Sequence, residues 1–224
     1  GEDKEGVLAG VEFLNAVNLG KKVEVAKRVI VIGGGNVAAD VARSALRLGA
    51  KEVEMVCLEN DEEMPAHPLE VVQCKEEGIK IHNRWGPKRI LSENGRVTGI
   101  EFMRCTSVFD EMGRFSPTFD EDTTITIPTD MVILAIGQAT DLSFLEGTKI
   151  ETTPRGIIKT DPLTLETTMP GVFAGGDVVT GPATAIQAVS QGKEAAISID
   201  RFLKGEDLRV GRKKKEPYVV DRVP

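Results

Sequence analysis

The residues best placed to do chemistry are Gly33, Gly35 and Ala38, in the run V-I-V-I-G-G-G-N-V-A-A-D from Val29 to Asp40. Their spacing fits G-x-G-x-x-G/A. Gly33 lets the chain turn sharply out of the apolar run. Gly35 lets backbone approach a pyrophosphate with no Cβ in the way. Ala38 is small enough for a helix to pack closely on a strand. A helix opening at Asn36 would aim its free N–H groups and positive dipole end at the phosphates. Gly33, Gly34, Gly35, Asn36 and Val37 are therefore candidate dinucleotide ligands; the plain alternative is a glycine-rich turn that holds nothing.

The choice between dinucleotides is made at the end of the second strand of such a unit. Here the chain reads C-L-E-N-D-E-E from Cys57 to Glu63, four acids and no base after Leu58. Glu59 lies 24 residues beyond Gly35, near the spacing of about 20 at which an acid bonds the ribose hydroxyls. An acid there repels a 2′-phosphate, whereas arginines would pair with it. Glu59 and Asn60 are thus candidate ribose ligands, and the composition predicts NAD(H) over NADP(H). A solvent-facing glutamate is the ordinary alternative.

The elements that must position these residues follow from periodicity. Apolar spacing predicts a helix over Leu8 to Leu19, stopped by Gly20. A strand over Val23 to Ile32, a helix over Asn36 to Leu48 and a strand over Val53 to Leu58 make a βαβ beginning, with V-I-V-I reading as a central parallel strand. A helix over Pro65 to Gly78 and a strand over Ile79 to His82 come next. Asn94-Gly95 between apolar runs marks a tight hairpin within Ile90 to Met103. Asp110 to Asp122 reads as an exposed loop, and Met131 to Ile136 as a buried strand ending at Gly137. Beyond it, Ile157 to Lys159 and Val172 to Ala174 are short strand candidates. Thr184 to Leu203 reads as a helix with small residues on one face. A domain boundary is placed near Gly137.

Composition narrows the classes. Hydrophobic residues make up 41% and charged residues 28% of the 224, as in ordinary globular proteins. A net charge of −7 argues against nucleic-acid binding. No apolar run reaches the ~18 residues of a membrane span. The basic run Arg212, Lys213, Lys214, Lys215 reads as a solvated tail or, more sharply, a docking patch for an acidic partner. Cys57, Cys74 and Cys105 form no C-x-x-C pair, which removes a dithiol centre or iron–sulfur ligand set. Reduced thiols and no secretory leader predict a cytoplasmic location. His67 and His82 lack metal-ligand spacing, so no metal site is expected.

Taken together, five ordered stretches carry a resemblance: G-V-x-x-x-x-x-F-L-x-x-V-N-L-G (Gly6 to Gly20), the glycine fingerprint with its continuation to Ala50, E-E-M-P-A (Glu62 to Ala66), A-I-G-Q (Ala135 to Gln138) and P-G-V-F-A-G-G-D-V (Pro170 to Val178). From Gly1 to Gly205 the chain resembles the NAD(P)-binding, FAD-dependent oxidoreductases related to the glutamate synthase small (beta) subunit. The resemblance implies an α/β fold. Its Rossmann-like NAD(P)-binding domain, a parallel sheet plus a β-meander, would span residues 22–137. A linker helix would occupy 1–21, the C-terminal portion of an FAD-binding domain 138–205, and a tail 206–224.

The resemblance also implies roles. Gly176 and Asp177 would bond the FAD ribitol or pyrophosphate region. Ala183, Thr184 and Ala185 would face the flavin pyrimidine edge, and Ala135, Gly137 and Gln138 would lie at the crossover between the nicotinamide and flavin domains. Hydride would pass from nicotinamide C4 to flavin N5, then electrons to iron–sulfur centres or a partner subunit; no side chain is needed as acid or nucleophile. NADPH-using relatives usually carry two arginines where this chain has Leu58 and Glu59. Relatives also begin with an iron–sulfur domain and an FAD fingerprint, so this chain is expected to be a piece of a longer protein, or less simply half of a naturally split enzyme. A non-catalytic NAD-binding or assembly module is the rival function. A simple dehydrogenase is disfavoured, because no His, Lys or Tyr constellation follows the fingerprint.

Overall fold

The computed structural model describes residues 1–213, which fall into two compact units divided after Gly137. The first holds a five-stranded, wholly parallel sheet in the order β1-β8-β2-β3-β4. Its strands are β1 (Val7–Ala9), β2 (Arg28–Ile32), β3 (Glu52–Val56), β4 (Lys80–His82) and β8 (Met131–Leu134). Helices α1 (Gly10–Asn18), α2 (Asn36–Arg47) and α3 (Pro68–Glu76) connect them. An antiparallel meander of β5 (Trp85–Glu93), β6 (Arg96–Phe109) and β7 (Phe115–Pro128) completes the unit.

The V-I-V-I run explains the layering. Alternate side chains of a strand leave opposite faces, and all four are buried because both faces are covered. Val29 and Val31 pack with Ala38, Ala39, Val41, Ala42 and Ala45 of α2. Ile30 and Ile32 pack with Val97, Ile100 and Phe102 of the meander. The alanine face of α2 is what lets the helix lie close to the sheet. At the opposite end of the strands, Arg28 grips Asp130 through two side-chain bonds of 3.1 and 2.6 Å, and this guanidinium holds the Asp130 carboxyl below its ordinary range. Thr129, fully buried, donates to the Arg28 carbonyl at 3.0 Å.

Several expectations need correction. Leu8 and Ala9, read as the start of a helix, form with Val7 a strand paired with β8; so short an apolar run fits either period, and the neighbouring strand decides. The strand expected from Val23 begins only at Arg28, although Val23, Val25 and Ala26 still pack on the core. Helix α3 starts at Pro68, capped by the His67 ring, which accepts from the Leu69 N–H. Asp110 to Asp122 is mostly strand rather than loop; only the turn at Asp110 is irregular, its carboxylate accepting from Met112 and Arg114 N–H. The Asn94-Gly95 hairpin is present, with φ of 50° and 81°.

The second unit begins at Gln138. It carries a 3₁₀ turn (Ser143–Leu145), isolated bridges such as Thr152 to Ile158 and Glu166 to Phe173, α4 (Asp177–Thr180) and α5 (Ala185–Lys204). The two expected short strands are thus reduced to single bridges. Phe173 meets Phe202 of α5 edge-on. Arg212, read as part of a solvated basic run, is only 7% exposed and pairs with Glu194 at 2.9 Å. Lys214 and Lys215 of that run lie outside the described residues.

Phe102 is the largest fully buried side chain of the unit-one core. Replacing it by alanine should cost about 3–5 kcal/mol, read as a lower urea midpoint for the full chain.

Candidate functional site

Strands β2 and β8 run side by side, although the chain passes from β2 to β3 on the far side and reaches β8 only after the meander. That makes their carboxyl ends a topological switch point, where open α/β sheets take ligands. Gly33 leaves β2 with φ of 141°, and its N–H donates to Val56 O at 2.9 Å. A Cβ on Gly33 would lie 2.3 Å from the Ala135 carbonyl oxygen. Ala135 is itself tied back by its N–H to Ile32 O at 2.8 Å. The first glycine is therefore demanded by both conformation and contact.

Gly35 is different. It is the N-cap of α2 in an extended conformation (φ −92°), open to any residue, and a Cβ there would meet nothing nearer than Pro65 Cγ at 4.0 Å. The space ahead of α2 is bounded by backbone. The first intrahelical bonds are made by the Ala38 and Ala39 N–H groups to Gly35 O, leaving the earlier N–H groups to aim outward. No acid stands in the first turn and no side chain caps it, so α2 itself supplies no competitor for an anion. Such a turn fits the pyrophosphate of a dinucleotide.

Loop 57–67 closes the other side. The Glu59 carboxylate lies over the glycine turn, its Oε2 2.8 Å from where a Gly34 Cβ would be. Leu58 turns the other way, against Gly86. The Glu59 carbonyl accepts from the Asn83 side chain and the Arg84 N–H, each at 3.1 Å. Asn60 is occupied locally: its Oδ1 accepts from the Glu62 and Glu63 N–H groups at 2.8 Å. Asn36 likewise holds the loop, accepting from His67 N–H at 2.7 Å, and Ala66 N–H donates to Gly34 O. Val37 is 41% exposed beside them. Arg43 of α2 binds Glu70 and Gln73 of α3 and Glu77 at its C-cap, so the loop hangs between two fixed helices.

Thus Gly33, Gly34, Gly35, Asn36, Val37, Glu59, Asn60 and Ala135 converge at one end of one sheet. Gly137 closes the first unit with φ of 98°, and Gln138 opens the second. Within the second unit, Gly176 (φ 76°) precedes α4, and its N–H donates to the Gln191 side chain. Asp177 is exposed, its carboxylate without a partner among the described residues. Thr184 caps α5 in a reciprocal box with Gln187, while Ala183 and Ala185 are exposed beside it. An open carboxylate at a glycine turn fits a hydroxyl-rich group such as the flavin ribitol.

The contributions of Pro65, Ala66 and Arg84 were not singled out in the sequence. The first two belong to the E-M-P-A stretch; Arg84 has no local signal. Burial pushes the Cys57 thiol up to about 12 and the Cys74 thiol to about 11, so both stay protonated at neutral pH. Among the described residues no group of three or more His, Cys, Asp or Glu could hold a metal, and no helix is long and apolar enough to cross a membrane.

A glycine turn at the switch point of a parallel sheet, backed by a meander, defines a dinucleotide-binding oxidoreductase class. Residues 1–192 match the family model of the pyridine nucleotide-disulphide oxidoreductases, and the chain belongs to that family. It is 45% identical over 208 residues to the NADP(+)-dependent formate dehydrogenase subunit beta of Moorella thermoacetica, covering 91% of this chain and 29% of that protein. It is 36% identical to the NADPH-Fe(3+) oxidoreductase subunit beta of Geobacter sulfurreducens, covering 91% and 34%. For the glutamate synthase [NADPH] small chain of Azospirillum brasilense the figures are 32%, 89% and 44%. The chain therefore spans less than half the length of these relatives. Among solved structures, the thioredoxin reductase of T. acidophilum superposes with a TM-score of 0.69 at 25% identity, covering 90% of this chain and 58% of that one.

Two glycines separate fold from binding. Gly33→Ala should cost about 3 kcal/mol of stability through strain and overlap. Gly35→Ala should change stability by no more than about 1 kcal/mol yet weaken dinucleotide binding at least about tenfold by crowding the phosphates. Urea melts and NADH titrations of the two variants check this. The raised thiols set a pH effect as well. The fold favours the neutral Cys57 thiol, so its contribution is intact below the ordinary value of 9.0 and fades as pH rises toward about 12. Iodoacetamide at pH 8 should leave Cys57 and Cys74 unmodified in the native chain and label them promptly once it unfolds.

Proposed function

We propose that this chain is the nicotinamide-input portion of a flavin-dependent electron-transfer oxidoreductase. The observation that carries the reading is the opening ahead of α2, set against the Gly33–Ala135 contact, where the helix's first turn holds no acid and no side-chain cap. In this reading Gly33, Gly34, Gly35, Asn36 and Val37 form the pyrophosphate cradle, and Glu59 meets the adenosine ribose. Gly176, Asp177, Ala183, Thr184 and Ala185 serve FAD. When bound, the nicotinamide would supply a hydride and the flavin would accept it. The chain's part is to bind and orient the two, since no side chain of the site is placed to donate or remove a proton.

The donor we assign is NADH. The names of the relatives carry NADP(H), so kinship and the acidic loop point in opposite directions. The loop is this chain's own: Leu58 is turned onto Gly86, and Glu59 presents its carboxylate where a 2′-phosphate would bring further negative charge. The relatives' names also describe subunits, and we assign a redox partner subunit or iron–sulfur domain as the electron acceptor. Three buried free thiols accord with a reducing compartment, the cytoplasm.

Fluorescence titration of the full chain is expected to give an NADH dissociation constant about tenfold or more below that of NADPH. Equal or reversed affinities overturn the NADH assignment, and binding of neither overturns the function. Flavin absorbance that survives dialysis into FAD-free buffer would extend the reading to the flavin site; a chain that stays colourless after FAD is added would be a nicotinamide-binding module only.

A further inference from the structure

Arg84 is a strained cation at the adenosine end of the site. Its φ is 63°, the left-handed region that a non-glycine residue enters at a cost, and such residues gather at functional sites. It lies in the link that follows β4, at the carboxyl edge of the parallel sheet where ligands bind. Its own N–H donates to the Glu59 carbonyl at 3.1 Å, and its carbonyl accepts from Cys105 N–H at 2.9 Å. The two residues are thus fixed back to back. Their side chains share a neighbourhood too, because the charges of Arg84, Glu59 and Glu63 all act on the Cys105 thiol.

The guanidinium is only lightly held. It forms no ion pair among the described residues, and its one hydrogen bond is from Nη1 to the carbonyl of exposed Thr106, at 3.3 Å. The neighbouring Arg104 is spoken for, lying 5.2 Å over the Trp85 ring. The ribose end is thus flanked by an acid that follows β3 and a guanidinium that follows β4, their backbones bonded to each other.

We propose that Arg84 is a specificity-determining residue that pairs with the 2′-phosphate of NADPH and keeps that nucleotide within reach despite Glu59. The proposal rests on the dinucleotide reading above but not on its preference for NADH. Planar guanidinium groups bind phosphate oxygens through two parallel bonds, and NADH has no group there to use them. Glu59 then sets the preference and Arg84 sets how wide it is.

The test is a matched set of NADH and NADPH titrations on full chains. Arg84→Gly suits the positive φ, so it should fold at least as well as the parent. It is expected to weaken NADPH about tenfold or more and NADH less than twofold. Arg84→Lys should recover part of the NADPH loss, and the effect should shrink as salt rises. A Glu59→Gln variant should move the ratio the other way, toward NADPH. The proposal is overturned if Arg84→Gly leaves the ratio of the two affinities unchanged, whether both constants move together or neither moves. In the first case the side chain only braces the link through Thr106, and a lower melting temperature would accompany it. Failure of the parent to bind either nucleotide would instead remove the dinucleotide reading itself.

Discussion

Everything at the site depends on how closely two strand ends approach. Where β2 and β8 finish, the space between Gly33 and the Ala135 carbonyl is too small for a methyl group. That one contact fixes where the chain turns, hence where α2 begins and where its first N–H groups point. The charge pair of Arg28 with Asp130 secures the same two strands at their other ends. A four-residue run with every side chain buried joins these two anchor points. The proposed phosphate cradle is thus a consequence of sheet geometry rather than of any polar side chain.

Much of this was legible in the sequence, and the reasons differ by element. The V-I-V-I run, the glycine fingerprint and Asn94-Gly95 each have a local physical cause, and each appears where its residues predict. Val7–Ala9 could not be read locally, because only the presence of β8 alongside makes a strand of it. The stretch after Asp110 misled for another reason. In β7 the polar side chains lie on the outer face of an edge strand, while Ile125 and Ile127 reach the core; the loop-like composition describes one face only. Arg212 shows the converse, a basic residue of an apparent tail drawn onto Glu194 and Ser198.

At the site itself, residue types were easier to read than their duties. Glu59, read from its spacing as a ribose ligand, lies over the glycine turn. Asn36 and Asn60 face the same region but spend their side-chain oxygens on the protein's own backbone. They hold the loop that holds Glu59. A sequence records that an amide is present, not which N–H groups reach it first. Arg84 escaped notice for a related reason: its importance comes from a backbone bond to a residue 25 positions earlier.

The anchoring of Glu59 has a further meaning for how such proteins diversify. Its carbonyl receives the Asn83 amide and the Arg84 N–H, and the Cys57 thiol leans on the same oxygen. The main chain is held at position 59 whatever side chain it carries. Mutation there can alter the electrical character of the pocket while the scaffold stays put. If position 59 sets coenzyme choice as proposed, that choice can change here without disturbing the fold.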